Sequence, residues 1–147
     1  MDEHVTSLLT SCSNSLYALG ILKSHSMQDS TLQEVFKTKT LSKLLYASQA
    51  WWGFMQAQTI NRIEGFIKKS KRHNYYPKDG ASFVDLCDRA DHALLRQIEG
   101  SDLNVLAPLM PEHKLTQHVL RKRKHNYALP VKDNRNFINR ILFKNIY

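Results

Sequence analysis

Leu41-Ser42-Lys43-Leu44-Leu45-Tyr46-Ala47-Ser48-Gln49-Ala50-Trp51-Trp52 decides the fold class, because wound as a helix it is apolar on nearly every face. Such a helix belongs at the centre of a core, so amphipathic helices must surround it. Upstream, Val5, Leu8, Leu9, Cys12, Leu16 and Leu19 recur at steps of three and four and predict a helix over residues 2–23. Ser30-Thr31-Leu32-Gln33 has the form of a capping box, which predicts that the central helix starts there, with Leu32, Val35 and Phe36 on one side. Downstream, Gly53 is placed to end it in a left-handed conformation. Ile60, Ile63, Phe66 and Ile67 then predict a third helix from about Ala57.

The remaining segments extend this pattern. Pro77 and Asp79-Gly80 make residues 73–80 a loop, and Ser82-Phe83-Val84-Asp85 is a second capping-box pattern. A fourth helix follows, with Leu86, Cys87, Ala90, Leu94 and Ile98 inward, an acidic outer side, and Gly100 at its end. Leu103, Val105, Leu106, Leu109 and Met110, set between polar turns and prolines, predict a short docked turn, and residues 111–133 look irregular. Phe137, Ile138, Ile141, Leu142 and Ile146 recover helical spacing, with Asn136 as a cap. The expectation is an all-α fold: a small bundle of four to five helices with an irregular basic segment before a C-terminal helix. It divides into a helical domain, 1–100, and a basic extension, 101–147. At 147 residues and 42% hydrophobic, the chain can bury a core without a metal or disulfide staple.

The net charge of +8 points to a polyanionic partner, and its distribution says where. Residues 1–60 balance at zero, with four bases and four acids. Residues 61–80 hold six bases and two acids, residues 81–112 two and six, and residues 113–147 nine and one. Two local blocks therefore carry the positive field. The first is Arg62, Lys68, Lys69, Lys71, Arg72 and His73, followed by Tyr75 and Tyr76, which pairs phosphate-neutralising charge with rings able to stack on unpaired bases. A solvated helix face and ordinary loop packing account for the same residues, and the lysines are the better candidates than the tyrosines. The second is Arg121, Lys122, Arg123 and Lys124, which fits a phosphate-backbone contact, a nuclear-localisation signal or a charged surface loop.

Other chemistries find little support. Cys12 and Cys87 stand alone on apolar helix faces, far from the close pairs that zinc needs, and the seven histidines read as surface residues rather than ligands. Two isolated cysteines fit a reducing, intracellular compartment, nuclear or cytoplasmic. The N-terminus lacks the basic start of a signal peptide, and no apolar run reads as long enough to span a bilayer. Asp85, Asp88 and Asp91 recur every three residues and could in principle face a divalent cation, but without an oxygen-rich loop they read as the solvated side of the fourth helix. There is no Gly-rich phosphate loop and no nucleophile with a matching base. Of Trp51 and Trp52, about a hundred degrees apart on a helix, one ring should face the core and the other its edge.

The stretch Leu41 to Phe54 resembles the leucine-rich helix followed by Tyr-Ala-Ser-Pro-Ala-Trp found in reverse transcriptases of LINE-type (non-LTR) retrotransposons, with Gln49 where the family often has proline. Ser15-Leu16-Tyr17-Ala18-Leu19 through Leu22-Lys23-Ser24-His25 is also similar to elements of that family, the jockey-like branch especially. So are Asn61-Arg62-Ile63-Glu64-Gly65-Phe66 with Tyr76-Pro77, His125-Asn126-Tyr127-Ala128-Leu129-Pro130, and Asn136 to Tyr147. The segments cover nearly the whole chain in order. The resemblance implies the thumb and post-thumb region, which grips primer-template RNA, DNA or RNA–DNA hybrid and docks against a polymerase palm. It also implies a chain that starts past the palm and reaches the family's C-terminal end. The palm's Phe/Tyr-Ala-Asp-Asp motif is not in this sequence, so the resemblance implies no catalytic residue, no metal, no cofactor and no membrane partner. Oligomeric state stays open.

Overall fold

The computed structural model describes residues 2–101, 103–114 and 124–146, and what it describes is all-helical, as the periodicity requires. In chain order the helices are α1 (Asp2–Ser24), α2 (Asp29–Val35), a π-helical segment (Phe36–Leu41), α3 (Ser42–Leu44), α4 (Ser48–Trp51), α5 (Ala57–Arg72), α6 (Phe83–Glu99) and α7 (Phe137–Lys144). Among the described residues the only bridge of β type is the isolated pair His113 and Tyr127. The residues group into two compact units: 1–48 with 55–87, and 49–54 with 88–147.

In the first unit, α1 buries Val5, Leu8, Cys12, Leu16 and Leu19 of the stripe its spacing predicts, and leaves Leu9 half-buried. α1 is also 23 residues long with a stretch of mean hydropathy 1.2, so by length and composition it meets the test for a bilayer span, contrary to the sequence reading. Here that stripe serves as core, and Thr6, Ser7, Thr10 and Ser11 lie outside it. The helix closes with Ser26 left-handed (φ 64°), Met27 N–H reaching Leu22 O and Ser26 N–H reaching Lys23 O, the paired bonds of a Schellman cap.

The central helix departs from expectation in three ways. It starts at Asp29 with Gln28 as its cap residue, and no side chain caps it, so Ser30 sits inside the first turn rather than before it. It then widens to π geometry at Phe36–Leu41, where Ser42 N–H bonds five residues back to Lys37 O. The widening keeps Leu32, Phe36, Thr40, Leu41 and Leu44 buried along one side, and the Cys12 thiol approaches Thr40 O at 3.9 Å. Finally the chain breaks at Ala47, whose φ of 49° is the left-handed value expected of Gly53; the described glycines include none with positive φ. Phe36 packs on Phe66 and Tyr76 (centroids 6.5 and 5.6 Å apart) and ties this segment to α5 and the loop after it.

The turn into α6 follows its prediction. Ser82 Oγ accepts from Asp85 N–H (3.1 Å), and Asp85 Oδ2 accepts from Ser82 N–H (3.2 Å), a complete capping box. Gly80 N–H closes a turn onto Pro77 O, and a Cβ on Gly80 would lie 2.6 Å from the Tyr76 ring.

In the second unit, Leu95, Ile141 and Leu142 form a core cluster with Met110, Tyr127, Leu129, Phe137 and Ile138 packed against it. Asn136 caps α7 as predicted, accepting from Ile138 N–H at 3.1 Å. The turn that follows α6 is short but only partly docked: Met110 joins the cluster, whereas Leu103, Val105 and Leu109 are largely exposed. The buried line of α6 here is Asp91, Leu95 and Ile98, so Leu95 rather than Leu94 leads inward and an aspartate lies on the apolar side.

Candidate nucleic-acid interface

Helix α5 sorts its residues by angle. At about 100° per residue, Thr59, Ile63, Phe66, Ile67 and Ser70 fall on one arc and are buried, while Arg62, Gly65, Lys68, Lys69 and Arg72 fall on the opposite arc of about 120° and are exposed. Among the described residues no carboxylate pairs with Arg62, Lys68, Lys69 or Arg72; the described ion pairs are Lys23–Asp29, Arg140–Asp91 and Lys144–Asp88. Arg62 is steadied by a bond from its Nη2 to Thr6 Oγ1 at 3.1 Å. The result is a cationic helix face open to solvent, mounted on a packed core.

Lys71 does not belong to that face. It points toward the following loop, donates to Gly80 O and lies 5.6 Å over the Tyr76 ring, so its ammonium fastens the Pro77–Gly80 turn. Tyr75 and Tyr76 are not stacking platforms either, being 6% and 8% exposed. The cause is the end of α5. Asn74 takes a left-handed φ of 61°, Tyr75 N–H bonds Ser70 O and Asn74 N–H bonds Lys71 O, a Schellman cap that turns the next residue back against the helix. Lys23 Nζ on His73 O (3.1 Å) and Gln33 Nε2 on Asn74 O (3.2 Å) hold this hairpin. His73 itself is exposed, its ring 5.6 Å from that of Tyr75.

Of the second basic block, Arg121, Lys122 and Arg123 lie outside the described residues. Lys124 is exposed, with its backbone N–H bonded to Ile146 O at 3.2 Å. The flanks of the block meet: Lys114 N–H bonds Asn126 O, Ala128 N–H bonds Glu112 O, and the His113 and Tyr127 rings stack at 4.3 Å. Burial and then the charge of Glu99 push the Tyr127 phenol up from its ordinary value.

Two charged groups are internal, and one of them, Asp91, is a residue that the sequence reads as solvated. Arg140 is 7% exposed and forks onto Asp91, itself 2% exposed, through Nε–Oδ2 at 2.9 Å and Nη2–Oδ1 at 3.2 Å. Its remaining donors reach the carbonyls of Gln49, Asn134 and Arg135, its plane lies 4.6 Å over the Trp52 ring, and Trp52 Nε1 donates to Asp91 Oδ2. Trp51 is buried and Trp52 half-buried, as adjacent helical positions predict. Gly53 has a steric reason to be glycine, since a Cβ there would lie 2.1 Å from Arg140 Nη1 and 2.4 Å from Arg135 O. Two histidines expected at the surface are likewise engaged: His92 bonds Asp88 O (2.7 Å) and Asn145 Oδ1 (2.9 Å), and His125 bonds Leu142 O (2.9 Å).

Each of the three α6 aspartates is already engaged within the fold. Asp85 caps its own helix, Asp88 pairs with Lys144 and Asp91 with Arg140, so the three carboxylates serve three separate tasks. No group of three or more His, Cys, Asp or Glu among the described residues could hold an ion. Cys12 and Cys87 are buried thiols that form no disulfide, as expected. A shallow groove beside α1 is lined by Asp2, Glu3, Thr6 and Thr10, an acidic and hydroxyl surface unsuited by itself to a polyanion. Comparison with protein-family models, with curated proteins and with solved structures gives no match to this chain.

Proposed function

We propose that this chain is a non-catalytic C-terminal piece, thumb and post-thumb, of a LINE-type retrotransposon reverse transcriptase, and that it holds nucleic-acid backbone without reading sequence. The origin rests on the sequence resemblance described above. The binding rests on one observation: Arg62, Lys68, Lys69 and Arg72 share an exposed face of α5 with no acidic partner among the described residues. Cations left unpaired on a rigid helix neutralise phosphates and release counterions, which gives affinity without base discrimination. Lys124, exposed in the second unit, and Arg121 to Arg123 would add to it. Polymerisation requires carboxylate-held metal ions, and the palm motif that supplies them is not in this sequence.

The test is anisotropy of a labelled RNA–DNA hybrid across a salt series, comparing the intact chain with one carrying Lys68→Ala, Lys69→Ala and Arg72→Ala. Lys71 is left in place because it holds the loop. The slope of log affinity against log salt should shrink by roughly 0.9 for each phosphate that is no longer neutralised. Unchanged affinity and slope would remove the proposal.

A second reading is a helical protein-interaction module that docks on a polymerase palm, its bases only solvating. The exposed Leu103, Val105 and Leu109 of the second unit favour it. It predicts weak hybrid binding that salt does not alter, together with self-association relieved by Leu103→Ser and Val105→Ser.

A further inference from the structure

Gly65 sits in the middle of α5, at the centre of its cationic face, and nothing in the described fold asks for a glycine there. A Cβ added at Gly65 would meet no atom within 4 Å, in contrast to Gly53 and Gly80, where neighbours leave no room. No positive φ requires it either. An exposed mid-helix glycine costs stability relative to alanine, because it restricts more backbone freedom and covers no surface. The cost has no internal return at this position.

The neighbours show what the bare backbone could serve. One turn before Gly65 on the same face stand Asn61 and Arg62, and one turn after it stand Lys68 and Lys69, all exposed. The missing side chain leaves bare, open backbone between three long cationic side chains and the shorter Asn61 amide. A flat ligand would gain nothing from the bare spot. A ridged polyanion would, because its sugar-phosphate backbone could seat against the helix while the flanking side chains close on phosphates to either side.

We infer that Gly65 is the seating point of a nucleic-acid backbone on α5, a positioning residue that lets the duplex approach closely enough for Arg62, Lys68 and Lys69 to engage phosphates together. This rests on the proposed nucleic-acid reading and narrows it to one spot and one mode of contact. It separates two properties that ordinarily move together. Gly65→Ala should raise the melting temperature of the full chain by about 2–4 °C through helix propensity. The same change should weaken binding to the RNA–DNA hybrid by about five-fold, and Gly65→Leu should weaken it further, because its larger side chain holds the duplex farther from the helix.

The experiment measures melting temperature, hybrid affinity and salt slope for the intact chain, Gly65→Ala, Gly65→Leu and the Lys68→Ala, Lys69→Ala, Arg72→Ala variant. Gain of stability with graded loss of affinity supports the inference. If the triple variant loses affinity and slope while both Gly65 variants bind as tightly as the intact chain, the seating role is wrong and the nucleic-acid reading stands. If the triple variant binds unchanged, both fall together. Far-ultraviolet circular dichroism of Gly65→Leu guards against unfolding, and Gly65→Ala, which strengthens the helix, carries the test should Gly65→Leu fail to fold.

Discussion

The two compact units treat charge in opposite ways. In the first, the buried polar residues are hydroxyls, Thr40, Ser48, Thr59 and Ser70, around an apolar centre of Phe36, Ile63, Phe66 and Ile67, and Arg62, Lys68, Lys69 and Arg72 of α5 stay outside. In the second, both cations of a basic helix are claimed by carboxylates: Arg140 is buried and locked on Asp91, and Lys144, still exposed, pairs with Asp88. A lysine- and arginine-rich segment therefore stays open to solvent and to a partner only where no group of the fold claims it. Local charge reads alike in both places, and pairing separates them.

The largest expected effect tests the polar core. Arg140→Ala leaves the Asp91 carboxylate buried without its partner and should cost about 3–5 kcal/mol in urea unfolding. Replacing both, with Arg140→Met and Asp91→Leu, should return most of that loss, since an ion pair exchanged for apolar packing is often nearly neutral. Equal losses in the single and double variants would mean that packing around Arg140, not its charge, matters. Phe36→Ala in the apolar core should cost a similar amount, about 3–5 kcal/mol, read from the same unfolding curves.

Gly53→Ala comes next, at about 1–3 kcal/mol, because the new methyl would collide with the Arg140 guanidinium and with the carbonyl of Arg135. A neutral Gly53→Ala would show that the arginine is not held where the structure has it. The apolar core offers a pH test of its own. Burial pushes the Cys12 thiol above its ordinary value, against a smaller opposite pull from Lys43. Folded protein thus keeps a proton that the unfolded chain releases, so stability is complete below the unfolded thiol's pKa and declines as pH rises above it, by at most about 1.4 kcal/mol per pH unit. Chemical denaturation at a series of alkaline pH values should show this decline, and Cys12→Ala should flatten it. Smallest of all, the Lys68→Ala, Lys69→Ala and Arg72→Ala changes should each move stability within about 0.5 kcal/mol, because exposed unpaired cations hold nothing together. A large thermal shift there would mean these side chains support the fold.

Much of the fold is open to reading along the chain. The α1 stripe, the Ser82–Asp85 box, the turn at Gly80 and the Asn136 cap are local devices whose partners lie within four residues, and each is found as predicted. The departures fall in the central helix and on α6. Ser30 has the right pattern for a cap, but the cap position falls two residues earlier, at Gln28, and the helix starts at Asp29. Gly53 has the right chemistry to end the central helix, and Ala47 ends it instead. Asp91 offers one signal, its step of four from Cys87 and again to Leu95, which places it on the buried line. Aspartate's usual preference for water conceals it.

Of the candidate interface, the sequence determined the cluster of bases on α5 and the angular separation of its charged arc from its apolar one, because both depend only on residue order and helical pitch. Which bases remain free was decided by tertiary structure alone. Lys71 is claimed by a carbonyl nine residues away, and Arg140 by a carboxylate forty-nine residues away. Tyr75 and Tyr76 are turned inward by the hydrogen bonds that close the helix end. Partners so distant along the chain leave no periodic trace, since their meeting is set by how helices pack and not by how each one winds.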